Sequence, residues 1–124
     1  MNLKLQIASM LVAHRCANKK TQTQVAKMLN VTFQQVQKYE HMINKITSEK
    51  LLQFCISLNV RLQSFQDGDP YQVLDGADIS ILKKEKALNI IEILFYKNEL
   101  GITIKENHIT DSFINEDIKN RKAI

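Results

Sequence analysis

The run FQQVQKYEH carries side chains whose spacing suits the recognition of a polar, patterned surface. Gln34, Gln37, Lys38 and His41 follow one another at i, i+3, i+4 and i+7, so a helix would place them on one face. A glutamine amide can pair with N6 and N7 of adenine, and a lysine can reach guanine acceptors or phosphate. This face contains no carboxylate, and Phe33 at its edge could touch a thymine methyl group.

Glutamine is also a good helix former on protein surfaces, so an isolated helix of this composition would need no function. The surrounding pattern favours the functional interpretation. Thr21-x-x-Gln24 and Thr32-x-x-Gln35 both fit a capping box, in which the threonine hydroxyl accepts from the third backbone amide and the glutamine reaches back. Two helix starts eleven residues apart leave room for a two-turn helix, a tight turn and a second helix.

The residues between these caps predict how the two helices meet. Val25 and Leu29 form the inner side of the first helix, and Ala26 is small enough for a close approach of the second. Asn30 falls at the turn, where a left-handed residue is needed and asparagine is tolerated. Val36 on the second helix points inward, as does Tyr39. The sequence therefore predicts a helix-turn-helix.

The charge of the 124-residue chain is unevenly distributed. Residues 1–65 hold nine lysines and arginines against two acids, a net charge of +7, whereas residues 66–124 hold eight against eleven, a net charge of −3. A basic half joined to an acidic half indicates that the first half meets a polyanion. A solvated basic face is the alternative explanation of the same pattern.

Other classes of function find little support in the sequence. His14, His41 and His108 are scattered without carboxylates or cysteines at ligand spacing, and no glycine-rich phosphate loop is present, so we expect no enzyme, metal or cofactor. Cys16 and Cys55 are far apart, which is typical of buried thiols in a reduced cytoplasmic protein. No stretch is long and apolar enough to predict a membrane span.

Turn formers divide the chain into two parts. Residues 67–78 contain the single proline together with two glycines and several aspartates, and we expect a linker there. Five helices are predicted in 1–66, including Leu3–Ala17, Ser48–Leu58 after the cap Thr47, and a short one at Leu62–Gln66 with Leu62 and Phe65 inward. His14 falls on the apolar side of the first helix, as a satisfied core or interface histidine.

The part 79–124 is expected to be a helical extension. Residues 80–99 predict one long helix with apolar residues on more than one side, which needs two neighbours. We expect a further helix at 110–118 and an extended stretch at 101–109. One neighbour of the long helix would be the first domain and the other a second copy of the chain.

With these residues in place, the sequence resembles the phage repressor and Cro-like helix-turn-helix proteins, the XRE family. The resemblance covers about residues 5–66, and its run 33–40 with Asn44, Lys45 and Ile46 is similar to one bacterial branch. The residues that carry it are Arg15, Thr21, Gln22, Val25, Ala26, Leu29, Val31, Thr32, Val36, Tyr39, Glu40, Leu51, Leu58 and Val60.

The resemblance implies an all-α protein with a five-helix, lambda-repressor-like DNA-binding domain followed by the helical extension. The helix from Phe33 would then be the recognition helix. The acid-free face of that helix then predicts base-reading roles for Phe33, Gln34, Gln37, Lys38 and His41. The resemblance implies DNA-backbone contacts from Gln22, Asn44 and Lys45. We expect further backbone contacts from Lys19, Lys20, Thr32 and Gln35, and non-specific attraction from Lys27.

The resemblance also implies a structural pair between Arg15 and Glu40, which would neutralise a carboxylate beside the DNA face. Three departures from the family pattern matter. Asn30 replaces the usual turn glycine, His41 replaces a basic residue, and Met42 replaces the glycine after the recognition helix, so that helix could end later. The position of the helix end determines whether Asn44 and Lys45, which follow it, can contact the DNA backbone.

Two functions remain open at this point. The first is a sequence-specific regulator of transcription, acting as a repressor through a homodimer on a palindromic operator, in the cytoplasm at the nucleoid. The second is a protein-interaction module, an antitoxin or adaptor whose C-terminal segment binds a partner protein. The sequence names neither the operator nor an effector.

Overall fold

A computed structural model describes residues 2–100 of the chain, and these residues form helices and connecting turns without strands. The predicted all-α class is confirmed. The helices are α1 (Leu3–Ala17), α2 (Gln22–Leu29), α3 (Phe33–Glu40), α4 (Ser48–Leu58), α5 (Ser64–Asp67), α6 (Pro70–Asp75) and α7 (Ile81–Leu100). The expected helix at 110–118 and the extended stretch at 101–109 lie outside the described residues.

Helix α1 is the central element because it is buried on two sides. Met10 and Leu11 pack into a first core with α2 to α5, while Ala8 and Val12 pack into a second core with α6 and α7. The second side carries small residues, which lets α7 lie close to α1. Helix α1 therefore joins the helix-turn-helix to the C-terminal helices.

The first core holds α2 to α5 against α1. Val25, Leu29 and Val36 are almost completely buried in it. Phe54 of α4 meets Phe65 of α5 edge to face, with ring centroids 6.0 Å apart, a favourable aromatic geometry. This core fixes the orientation of α2 and α3 relative to α1.

The segment expected to be a linker contains a helix. Asp69 caps it by accepting from the Tyr71 backbone N–H at 2.9 Å, and Pro70 occupies its first turn, where a missing N–H costs nothing. Leu74 is only 1% exposed and belongs to the second core. Residues 67–78 therefore carry α6 as a packed element instead of a plain linker.

Two expected details of the helices differ from the structure. The short fifth helix begins at Ser64 instead of Leu62, and Leu62 is 47% exposed instead of inward. Phe65 is buried as expected. The long helix starts one residue later than expected, after Ser80, whose hydroxyl accepts from the Lys83 backbone N–H at 3.2 Å.

Candidate nucleic-acid interface

The turn between α2 and α3 is built by local side chains. Thr21 and Gln24 form a complete capping box at the start of α2, with bonds of 3.1 Å and 2.8 Å. Asn30 adopts the left-handed conformation with φ 53° and ψ 48°, and the Val31 N–H donates to the Ala26 carbonyl at 3.0 Å. This turn ends α2 at Leu29 and allows α3 to begin at Phe33.

Helix α3 turns its apolar side inward and its amides outward. Val36 is 2% exposed, and Tyr39 and Glu40 are also buried. Gln34 is exposed and Gln37 is partly exposed on the other side. The amide side chains are therefore not part of the core.

The two flanks of this outer face differ in exposure. Phe33 is 39% exposed at the N-terminal end of α3, and Lys38 is partly buried. His41 was expected to face DNA or solvent, but it is partly buried, and its Nδ1 lies 3.4 Å from Nζ of Lys97 on α7. The C-terminal edge of the face therefore borders α7.

The second capping box is present only in part. The Thr32 hydroxyl accepts from the Gln35 backbone N–H at 3.1 Å, but the Gln35 side chain does not complete the box. Its Oε1 instead accepts from Nδ2 of Asn44 at 3.4 Å. This long bond brings Asn44, in the loop after α3, back beside the first turn of the helix, with Lys45 exposed next to it.

Helix α3 ends at Glu40 with His41 as its C-cap, so the methionine in place of glycine at position 42 does not extend it. Met42 itself takes a positive φ of 64°, and the Ile43 N–H donates to the Lys38 carbonyl at 2.9 Å. A left-handed conformation is unfavourable for a residue with a Cβ. Packing of the partly buried Met42 side chain against the second core offsets part of that cost. The loop that holds Asn44 and Lys45 is therefore positioned directly after α3.

Behind this face, Arg15 of α1 binds Glu40 of α3. Arg15 Nε donates to Glu40 Oε2 at 2.7 Å, and Nη2 donates to Oε1 at 3.0 Å. Gln22 Nε2 donates to the same Oε1 at 3.0 Å, and Arg15 Nη1 donates to the Lys20 carbonyl at 3.1 Å. The network joins α1, α2 and α3 at one point.

The electrostatics of this pair explain why a carboxylate is acceptable here. Burial alone would lower the pKa of Arg15, but the charge of Glu40 and the hydrogen bonds to it outweigh burial and raise that pKa. Arg15 therefore keeps its positive charge directly against the carboxyl group of Glu40.

The remaining predicted backbone-contact residues lie around this network. Lys19 is exposed and Lys20 partly buried in the turn between α1 and α2. Gln22 is the first residue of α2, so its backbone N–H lies at a helix N-terminus, although its side chain is engaged by Glu40. Helix N-termini with neighbouring lysines are favourable places for phosphate.

A helix-turn-helix family model matches residues 11–65. These residues form an XRE-family helix-turn-helix domain. The family consists of DNA-binding regulators. No curated protein and no solved structure matches the chain.

The XRE-family domain contains polar residues that sequence reasoning did not single out. Lys50 Nζ donates to the Leu29 carbonyl at 2.7 Å, and Gln53 Nε2 donates to the Met28 carbonyl at 2.8 Å. Both bonds come from α4 and satisfy the C-terminal carbonyls of α2. Nothing in the sequence distinguishes these two residues from surface ones.

Lys97 was also missed, although its position could have been predicted. It lies three residues after Leu94 and six after Ile91, which are both completely buried, and it is itself fully buried. Helical spacing therefore places it on the side of α7 that faces the XRE-family domain. Its contact with His41 links α7 to the end of α3.

The thiols and His14 serve the packing of the domain. Burial raises the pKa of Cys16 and of Cys55, so both remain protonated thiols. His14 Nε2 lies 3.0 Å from the Ser64 hydroxyl and its ring is 5.6 Å from that of Phe65. Among residues 2–100, no group of side chains could hold a metal ion, and no helix has the length and apolarity to cross a membrane.

Proposed function

We propose that this protein regulates transcription by inserting α3 into the major groove of a specific DNA sequence. The observation that carries the proposal is the orientation of α3. Its outer face presents amides and a lysine without an acid, while Glu40 is buried and neutralised behind it. Such a face can donate to and accept from base edges without repelling phosphate.

The proposed base contacts follow the exposure of the side chains. Gln34 is the best placed for a bidentate contact with adenine, followed by Gln37, and Lys38 reaches guanine acceptors. Phe33 touches a thymine methyl group at the N-terminal end. His41, beside Lys97, marks the C-terminal limit of the reading surface.

The proposed backbone contacts come from both sides of α3. On one side, the α1–α2 turn and the start of α2 supply amides and charge, from Lys19, Lys20 and Gln22. On the other side, the loop after α3 supplies Asn44 and Lys45. Thr32 and Gln35 at the start of α3 complete the set. Phosphate contacts of this kind fix the register of the helix on the duplex.

We further infer that the protein acts as a homodimer and represses by occluding a palindromic operator. The inner side of α7, with Ala87, Ile91 and Leu94, packs on α1. At its start, Ile81 is 76% exposed and Leu82 is 60% exposed. A second copy that covers these residues would remove their apolar surface from water and place two recognition helices about 34 Å apart.

The decisive experiment is a selection of bound sequences from a random DNA pool. We expect enrichment of two inverted half-sites separated by about one helical turn. The variant Gln34→Ala should lose the preference at one position of each half-site. Gln72→Ala, at an exposed position of α6, is the matched control and should select the same sequence. A pool without any enriched sequence would refute the proposal.

The exposed start of α7 also supports a second candidate function. The two large apolar side chains at Ile81 and Leu82 fit a partner protein as well as a second copy. In this alternative the C-terminal segment of the chain binds a partner, as in an antitoxin or adaptor. A stoichiometric complex after co-expression with a neighbouring gene product, with weak binding to every DNA, would favour it.

A further inference from the structure

An apolar groove runs along the N-terminal half of α1, next to the loop after α3. Its first part is a hollow of about 250 Å³, lined by Leu3 and Ile7 of α1 together with Met42 and Ile46 of the loop. Lys45 stands at its edge. This hollow therefore adjoins one of the proposed DNA-backbone contacts.

The second part of the groove lies on the other side of the same α1 residues. It is a hollow of about 340 Å³ that shares Leu3 and Ile7 and adds Leu51, Leu62 and Phe65. Leu3 is 58% exposed and Leu62 is 47% exposed, so the apolar lining is open to solvent. We call the two parts together the Leu3 groove.

The open shape of the Leu3 groove fits the side chains of a chain segment better than it fits a small molecule. Small-molecule sites are usually enclosed pockets of about 300–1,000 Å³ that cover most of the ligand. Here two adjoining hollows, one on each side of Leu3, are open along their length. Such a shape fits an amphipathic segment that inserts successive apolar residues.

The path of the chain indicates which segment is available. Asn2, the cap of α1, donates from Nδ2 to Oδ1 of Asn98, so the C-terminal end of α7 lies beside the N-terminal end of α1. Leu100 ends α7 two residues later. The chain therefore leaves α7 next to Leu3, and residues 101–124 follow.

The sequence of the following residues complements the groove. Residues 106–118, ENHITDSFINEDI, contain four acids without a lysine or arginine, and they include Phe113, Ile114 and Ile118. Lys4 and Lys45 line the first hollow. Twelve residues separate Leu100 from Phe113 and can span roughly 40 Å, which is ample for this reach.

We propose that residues 106–118 dock in the Leu3 groove of the same chain and compete with DNA for Asn44 and Lys45. The apolar side chains, led by Phe113, fill the hollows, and the acids face the lysines at the edge. The competition rests on the proposed function, whereas the docking does not. A tethered segment has an effective concentration in the millimolar range, so weak docking is sufficient.

Docking can be measured directly because the chain contains no tryptophan. In the full chain carrying Phe113→Trp, we expect blue-shifted emission and slow quenching by acrylamide, both independent of protein concentration. Adding Leu3→Gln should expose the introduced tryptophan. Adding Ile56→Gln, which changes an 80% exposed residue of α4 outside the groove, should leave it protected.

Two results of the fluorescence experiment would overturn the proposal. A tryptophan that is quenched as freely as a small indole model would show that the groove is empty. Protection that disappears on dilution would show that the segment docks on a second copy instead of its own chain. Because Leu3→Gln and Ile56→Gln both leave the charge unchanged, a difference between these two variants cannot arise from altered electrostatics.

The competition with DNA has a separate test. With random duplex DNA, Phe113→Ser should bind about fivefold more tightly than the parent, a typical coupling between sites. Ile104→Ser, outside the docking segment, is the matched control and should bind like the parent. In a Lys45→Ala background, Phe113→Ser should give a smaller gain, because one of the contested contacts is missing.

The outcomes distinguish this proposal from the proposed function. Protected fluorescence with an unchanged affinity of Phe113→Ser for DNA would refute the competition. If no variant binds DNA at all, the proposed function fails, and the competition fails with it, while the fluorescence still decides whether the segment docks.

Discussion

Arg15 and Glu40 form a two-pronged ion pair with N–O distances of 2.7 Å and 3.0 Å, and the Glu40 side chain is only 3% exposed. The pair connects the end of α1 to the end of α3. Because Gln22 donates to the same carboxylate, the start of α2 is held at this point as well. The position of the proposed recognition helix therefore depends on a buried electrostatic contact between distant parts of the sequence.

Removing one member of this pair should destabilise the fold strongly. Arg15→Met leaves the Glu40 carboxylate buried with only the Gln22 amide as partner, and we expect a loss of about 3–5 kcal/mol in the free energy of unfolding. Urea unfolding at neutral pH measures it. The double variant Arg15→Met, Glu40→Leu should recover much of the loss, because no buried charge remains. A loss below about 1 kcal/mol for the single variant would mean that the pair behaves as an exposed one.

Gln34→Ala should weaken binding to the selected DNA sequence by about 1–3 kcal/mol, because a bidentate base contact is lost. Binding to random duplex DNA should hardly change. Fluorescence anisotropy with labelled duplexes gives both affinities, and Gln72→Ala on α6 is the matched control. Equal losses on selected and random DNA would show that Gln34 contacts the backbone instead of a base.

Lys45→Ala should weaken binding to selected and random DNA by similar factors, because a phosphate contact carries no sequence information. The slope of log affinity against log salt should fall by about one. Lys86→Ala removes the same charge from an exposed site on α7, outside the proposed interface, and should leave the slope unchanged. The same slope for Lys45→Ala and the parent would remove Lys45 from the interface.

Local signals predicted the helix-turn-helix well, because its limits are encoded by side chains close in sequence. Thr21 and Thr47 cap the helices they were expected to cap, and Asn30 takes the left-handed turn. The pattern around Val36 fixed the inner side of α3. Such features depend on residues within one or two turns, so sequence spacing is sufficient to find them.

The features that could not be predicted depend on contacts between distant segments. The Gln35 side chain leaves its cap for Asn44, and His41 turns toward Lys97, 56 residues away. The turn formers around Pro70 are typical of a linker, but aspartate and proline also occur at the start of a helix. Only the burial of Leu74 decides between the two structures. A pattern of single residues does not encode such choices.

A matched pair of glycine substitutions tests the end of α1. Lys19 has a positive φ of 58°, whereas Lys20 does not. Lys19→Gly should therefore raise the free energy of unfolding by about 0.5–1 kcal/mol, and Lys20→Gly should lower it by a similar amount. Both variants lose one positive charge, so the difference between them reports the effect of backbone conformation on the free energy of unfolding. Thermal and urea unfolding provide the measurement, and equal effects would contradict the left-handed geometry at Lys19.

His14 should make the stability of the protein depend on pH. Burial between α1 and α5 lowers its pKa below the ordinary value of 6.5, so below that value the unfolded chain binds a proton that the folded chain resists. The contribution of His14 is therefore fully present above about pH 6.5 and is lost as the pH falls toward the pKa of the folded state.

The measurement is the free energy of unfolding in urea at about pH 7.5 and about pH 5.5, for the parent and for His14→Gln. Glutamine can keep a hydrogen bond to Ser64 but does not titrate, so the variant should lose less stability between the two pH values. Every other group of the chain is the same in both proteins, so its contribution cancels in the comparison. An identical loss in both proteins would show that His14 is as easily protonated in the folded chain as in the unfolded one.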